Sequence, residues 1–322
     1  MVTISDVAHY CKVNESTVSR VLHGSKKIST RTTARVLQAV SELGYTPIRK
    51  SKVRRHSDEI ILVMPNPSLY TLGTTVKDIT LTLHEVDYDI RIVNLHHHRE
   101  ITPEIATTLC RKNAAGIILY GCTVPEEAAA VFYEQHMPAI VQQGRTSNLV
   151  SISVNNYNGM RDAVNYVISR GYKKIGFVGW KPPDFNIKER TDSFHMVMQE
   201  AGLDDSMQFF ENLNIEGGYL AMEKMLDQYS PDAIVFSADI LAYGGIKYAN
   251  EHGIRYPEDI GLMGFDDAYL SEVLGLTTMY QLLEEKVKQV VENLLVMIEH
   301  KSVSPAKEIL LTPRLVIRDS LR

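Results

Sequence analysis

Long apolar runs are missing from this 322-residue chain: nowhere do about 18 consecutive apolar residues occur, so no membrane-spanning helix is expected. The first residues lack a basic stretch followed by an apolar one, so an export leader is not expected and the cytoplasm is the expected compartment. Cysteine is scarce. Cys11, Cys110 and Cys122 are widely separated, which excludes a disulfide framework and fits small buried hydrophobes in a reducing compartment. No Gly-Lys-Ser/Thr phosphate loop and no nucleophile elbow occurs, and Gly176-Phe177-Val178-Gly179 lacks the third glycine of a dinucleotide fingerprint. His96, His97 and His98 are adjacent, and neighbours on a strand point to opposite faces, so they cannot converge on one ion. A protein that is not an enzyme, with no cofactor and no metal, is expected.

What the chain does have is an uneven charge distribution. Residues 1–57 carry eleven Lys or Arg against Asp6, Glu15 and Glu42, a balance of +8, which leaves −13 of the net −5 for the other 265 residues. A small basic head on a large acidic body points to a head that meets a polyanion.

The head reads as three short helices. Thr3 and Asp6 give a helix-start signal, and Ile4, Val7, Ala8 and Cys11 recur on one helical face. After a turn at Cys11, Lys12 and Val13, Asn14 can cap a second helix whose stripe is Val18, Val21 and Leu22. A third begins after Ser29, is expected to bury Val36, Leu37, Val40 and Leu43, and stops at Gly44. Two short helices joined by a three-residue turn make a helix-turn-helix. Residues 47–57 then form a basic linker with almost no core-forming content.

Farther on, Val- and Ile-rich runs alternate with helix periodicity. The runs are Ile60 to Met64, Ile90 to Leu95, Gly116 to Tyr120, Ala139 to Gln142, Ile152 to Val154, Lys174 to Gly179, Ala233 to Phe236 and Ile260 to Gly264. Helical stretches include Thr74 to Val86, Asn158 to Arg170 and Leu241 to His252. This alternation predicts parallel sheets covered by helices on both faces, and the length favours two lobes, with ligands expected beyond the carboxyl ends of the strands.

The residues now become recognisable. Thr3-Ile4-Ser5-Asp6-Val7-Ala8, Thr17-Val18-Ser19-Arg20-Val21-Leu22, Gly24, Ile28-Ser29 and Leu43-Gly44-Tyr45-Thr46-Pro47 follow in the order of the lactose/galactose repressor family of bacterial transcription regulators, which the chain resembles along nearly its whole length. In the body, Asn113 to Leu119, Gly171 to Phe177, Pro231 to Ile234, Pro257 to Ile260, Gly264-Phe265-Asp266-Asp267 and Leu276-Thr277-Thr278 are also similar to the family. The resemblance implies an all-α helix-turn-helix head plus a two-lobed α/β effector domain of the periplasmic-binding-protein-like type I kind. The expected division is a DNA-binding domain over residues 1–46, a hinge over 47–57 and an effector and dimerisation domain over 58–322. Lobe 1 would take about 58–155 and 283–311, and lobe 2 about 156–282 and 312–322. Homodimerisation is implied too, and since no heptad segment trails before Arg322 a dimer rather than a tail-assembled tetramer is expected.

Two departures stand in the head. Family members usually place Gly where this chain has Lys12, and their linker usually reads Ala-Arg, a small residue, then Leu, whereas this chain reads Ser51-Lys52-Val53-Arg54. Arg54 thus stands where an apolar wedge enters the minor groove, with Val53 able to replace it in a shifted register.

A recognition helix in the major groove of double-stranded operator DNA would present Glu15, Ser16, Thr17, Ser19 and Arg20. Arg20 can pair with guanine or touch only phosphate; Glu15 can accept from cytosine N4 or serve the helix dipole. Thr3, Asn14 and Ser29 read as caps first and phosphate donors second, and Arg49, Lys50, Lys52, Arg54 and Arg55 as backbone contacts.

For the effector, the resemblance implies Arg190, Asp266, Gln281 and Asp239, although Ser193 stands where glycine is expected after Arg190 and Ala238 replaces a polar residue. Asn66, Tyr70 and Trp180 follow strand ends, where the cleft should lie. Arg190, Asp266 and Trp180 supply the guanidinium, carboxylate and aromatic face that suit a sugar or sugar phosphate. The family implies a repressor of carbohydrate-utilisation genes released by a sugar; a corepressor response or control by a partner protein stays open, and a sugar-binding receptor is the alternative of another class. The apolar stripe Val287, Val290, Val291, Leu294 and Ile298 is read as core.

Overall fold

The structure is a computed structural model that describes residues 4–22, 28–43, 58–65, 75–96 and 98–322, apart from the side chains of Ile4, Ser5, Ser19, Leu22, Thr30 and Ser41. Two compact units divide the chain, Met1–Arg55 and His56–Arg322.

The first unit contains α1 (Ile4–Tyr10), α2 (Glu15–Leu22) and α3 (Thr30–Glu42). Its core joins Val7, Ala8 and Cys11 to Val18, Val21, Val36 and Ala39. Lys12 answers the missing turn glycine by adopting φ +51° itself. Around it the Val13 amide donates to the Ala8 carbonyl at 3.0 Å and the Lys12 amide to His9 at 3.1 Å, the paired bonds of a Schellman cap. Ser29 does cap α3: its Oγ accepts from the Thr32 amide at 3.3 Å. One residue of the expected core is displaced. Leu37 is half exposed, and Ala39 faces inward instead, because Val36, Ala39, Val40 and Leu43 keep the i, i+3, i+4, i+7 pattern of one helical face that Leu37 breaks. The Thr3 and Gly44 cap signals and the linker lie outside the described residues.

The second unit begins with β1 (Glu59–Met64), α4 (Lys77–Glu85), β2 (Asp89–Asn94), α5 (Pro103–Cys110), β3 (Gly116–Tyr120), β4 (Thr123–Val124), α6 (Glu126–Glu134), β5 (Ala139–Gln142), β6 (Arg145–Thr146) and β7 (Val150–Val154). It continues through α7 (Asn156–Ser169), β8 (Ile175–Trp180), α8 (Phe185–Glu200), β9 (Gln208–Glu211), α9 (Ile215–Gln228), β10 (Ala233–Phe236), α10 (Asp239–Glu251) and β11 (Gly261–Met263). Last come α11 (Tyr269–Val273), β12 (Thr278–Tyr280), α12 (Leu283–His300), β13 (Lys307–Leu311) and β14 (Arg314–Val316).

A six-stranded parallel sheet has the order β13-β7-β5-β3-β1-β2, and a four-stranded parallel sheet the order β11-β10-β8-β9. The chain leaves the first sheet after β7, returns to it through α12 and β13, and leaves again to pair β14 antiparallel with β12. Alternation along the strands splits the first lobe into two half-cores. Ile60, Leu62, Ile118 and Ile140 pack with Val287, Val290 and Leu294 of α12, while Ile61, Val63, Ile117 and Val141 pack with Ala106 and Leu109 of α5 and Phe132 of α6. In the second lobe, α9 meets α10 backbone to backbone: a Cβ on Gly244 would stand 2.0 Å from the Ile215 carbonyl oxygen, and one on Gly218 1.9 Å from that of Leu241. Cys11 and Cys122 are buried, and Cys110 is partly so.

Candidate functional site

Glu15, Ser16 and Arg20 stand exposed on α2, and Thr17 is half-buried there. Turning Val18 and Val21 into the core leaves this polar side outward, and among the described residues neither Glu15 nor Arg20 has a hydrogen bond or ion pair. Asn14 precedes α2, its carbonyl accepting from the Thr17 and Val18 amides at 2.8 and 3.3 Å. Thr3, the side chain of Ser19, and Arg49, Lys50, Lys52, Val53, Arg54 and Arg55 lie outside the described residues, as do Asn66 and Tyr70.

The second polar site joins both sheets at the carboxyl ends of their strands. Arg190 of α8 is buried, its Nε donating to Asn156 Oδ1 at 2.9 Å and its Nη1 to the Ser237 carbonyl, which follows β10. The guanidinium lies 3.7 Å over the Phe265 ring and 5.6 Å from that of Trp180, and its Nη1 is 3.7 Å from Asp266 Oδ1. Asp266 follows β11 at φ +139°, outside the ordinary range of L-residues, where the surrounding structure must hold it; its amide donates to the Met279 carbonyl at 2.9 Å. Gln281 bridges the lobes: its Nε2 donates to Asp266 Oδ1, and its Oε1 accepts from Gln143 Nε2 at 2.7 Å and Lys286 Nζ at 3.2 Å. Arg99 to Asp184, at 2.8 Å, and Arg145 to Glu189 add ion pairs between the lobes.

Burial dominates the electrostatics of this cluster. It pushes the Asp266 carboxyl up to about 7 despite the opposing pull of Arg190, and pushes the Lys286 ammonium down to about 7 despite Asp266. Several polar atoms are enclosed with no partner among the described residues: Gln142 Oε1 and Nε2, Gln143 Oε1, Ser237 Oγ and Trp180 Nε1. Orphaned buried groups gathered at strand ends are places where a ligand or water completes the hydrogen bonding.

The structure therefore brings Arg190, Asp266, Gln281 and Trp180 together. It does not bring Asp239 with them. That carboxylate is fully enclosed, accepting from the Ala268 amide at 2.8 Å, Ser271 Oγ at 2.5 Å and Thr278 Oγ1 at 2.7 Å, so its lone pairs brace the loops after β10 and β11 rather than face a ligand. Next to the cluster, a cavity of about 640 Å³ is lined by Trp180, Pro183, Asp184, Phe185, Ile187 and Phe210 among others; it shares Trp180 with the cluster but not Arg190, Asp266, Gln281 or Lys286.

Gln143, Lys286, Asn156 and Ser237 were absent from the expected site. The signal for Lys286 was its place in the apolar stripe of α12: it is 3% exposed, four residues before Val290 and eight before Leu294. Gln142-Gln143, a polar pair closing the run Ala139 to Val141, was the signal in β5.

A helix-turn-helix unit and a two-lobed α/β receptor with a buried polar cluster across its lobes define a DNA-binding transcription regulator with a ligand-receiving body. Comparison with known proteins agrees. Residues 3–47 match the family model for bacterial regulatory proteins of the lacI family, and residues 164–321 that for the periplasmic binding protein-like domain. The HTH-type transcriptional repressor CytR of Escherichia coli (strain K12) is 26% identical over 330 residues, covering 99% of this chain and 96% of that protein. The lac repressor dimer bound to operator and the anti-inducer ONPF superposes with a TM-score of 0.70 at 23% identity, covering 99% of this chain and 98% of the other. A CelR-cellobiose complex does so at 0.69 and 20%, covering 99% and 100%. The chain belongs to the lacI family of bacterial regulatory proteins. No helix among the described residues is long and apolar enough to cross a membrane.

Proposed function

We propose that the chain is a repressor of carbohydrate-utilisation genes whose operator affinity is set by a sugar or sugar phosphate bound between its lobes. The observation that carries this reading is the bridge Arg190, Asp266, Gln281, Gln143 and Lys286, with Arg190 and Lys286 buried, which spans both sheets and has around it polar atoms without a partner among the described residues. Arg190 and Asp266 suit vicinal hydroxyls, and Trp180 offers a ring face for the C–H side of a sugar. The CelR relative is solved with cellobiose, which supports a carbohydrate. On the DNA side, Arg20 reads guanine, Glu15, Ser16 and Thr17 line the groove, Asn14 and Ser29 sit near phosphate, and the linker arginines and lysines follow the backbone.

The protein works as a cytoplasmic homodimer that binds its ligand without turning it over. The lac repressor relative is solved as a dimer, and Leu81 and Ile92 in one lobe and Tyr269 and Val273 in the other are exposed apolar residues suited to a self-complementary face. Two recognition helices would then enter successive major grooves about 34 to 36 Å apart. Ligand binding changes the lobes' arrangement at the Gln281 bridge and so the operator affinity. A footprint on the gene's own upstream region, repeated with a panel of sugars and sugar phosphates, tests this: one protected pseudo-palindrome that a sugar releases is expected, and protection no better than on random duplex contradicts it.

A further inference from the structure

Lys286 is out of place by every local rule. It sits in the first turn of an 18-residue helix, where the helix dipole disfavours a cation, and it occupies a slot of the apolar stripe while Glu284 and Glu285 of the same turn are exposed. It is 3% exposed, yet among the described residues the one hydrogen bond of its ammonium is to the neutral Gln281 Oε1, and no carboxylate lies within ion-pair distance of it. The charged groups acting on it are Asp266 and Arg190, so one ligand-facing carboxylate serves two buried cations. Asp239 does not redress this, being held by Ala268, Ser271 and Thr278. β5, which packs against α12, ends in Gln142, whose amide is buried without a partner. A buried ammonium with two donors unused among the described residues, on a helix packed against the strand that ends in Gln142, is suited to an anionic group.

We propose that Lys286 is an effector-binding residue that selects a carbohydrate carrying a phosphate or carboxylate over its neutral parent. The inference rests on the carbohydrate reading of the cleft and names the member of that class the site takes. Binding of the anion restores the charge that burial disfavours, so the affinity falls as pH rises above about 7, where the free site must take up a proton first.

The test is isothermal titration of the full chain with matched probes: glucose, glucose 6-phosphate and glucuronate, and ribose with ribose 5-phosphate. An anionic member should bind at least about tenfold more tightly than its neutral parent, and Lys286→Met should abolish that advantage. Lys286→Gln gives the same readout should the methionine variant fold poorly, and the wild-type ratio needs no variant. The phosphate and carboxylate arms tell which anion is taken. Neutral parents binding as well as the anionic sugars, or an anion advantage that survives both substitutions, overturns the assignment and leaves the carbohydrate reading standing. No binding of any probe overturns both.

Discussion

The two sites of this chain are built on opposite principles. On α2, Glu15, Ser16 and Arg20 project from a three-helix core that does not need them, and among the described residues Glu15 and Arg20 make no hydrogen bond or ion pair. In the cleft, Arg190 and Lys286 are buried and Asp266 is nearly so, and their hydrogen bonds tie together the elements around them. A surface reader can change its target without changing its stability, whereas a buried receptor cannot change one without the other.

Substitutions sharpen this contrast. Arg190→Ala removes a buried cation whose partners Asn156, Ser237 and Asp266 remain, so chemical denaturation of the full chain should show a loss of about 3 to 5 kcal/mol together with loss of ligand response. Arg20→Ala should cost about 1 to 3 kcal/mol of operator affinity with no loss on random duplex, and less than about 0.5 kcal/mol of stability. A stability loss of the Arg190→Ala size at Arg20 breaks the comparison. Gly244→Ala, forcing α9 from α10, should cost about 1 to 3 kcal/mol in the same denaturation experiment and leave the binding of DNA by the first unit unchanged. Lys12→Gly should stabilise by about 1 kcal/mol, since glycine takes φ +51° without the Cβ penalty, read as a raised melting temperature of the first unit.

A further contrast concerns pH. Because Lys286 titrates near 7 in the folded chain and near the ordinary lysine value when unfolded, the unfolded chain binds the extra proton between about pH 7 and 10. Lys286 therefore makes the ligand-free protein more stable as pH rises across that window, and Lys286→Met should flatten this dependence in pH-resolved thermal melts.

The same contrast explains what could be read before the structure was known. The head's fold is local: the stripe Val18 and Val21, the Ser29 cap and even the Lys12 anomaly are each set within a few residues, and the single slip at Leu37 was one of phase between neighbouring turns. The main strands were likewise visible, because Val-rich runs such as Ile60 to Met64 and Ala233 to Phe236 are buried on both faces. β4, β6, β9, β12, β13 and β14 escaped notice: all but β13 are strands of two to four residues that carry little pattern, and β13, at the end of the first sheet, has two charged residues among its five. The cleft was only half legible. Gln143 and Gln281 lie 138 residues apart, and nothing local in either announces the bond. Asp239 misled for the same reason: an acid after a strand looks alike whether it faces a ligand or three donors of its own loops.

In the proposed regulator the two sites are coupled in free energy, and coupling is reciprocal. Titrating the effector that the footprint identifies, with and without saturating operator duplex, measures it directly. The effector's Kd should change by the same factor, within about 5- to 150-fold, by which that effector changes the operator's Kd. An effector Kd indifferent to bound operator would show the two sites to be uncoupled.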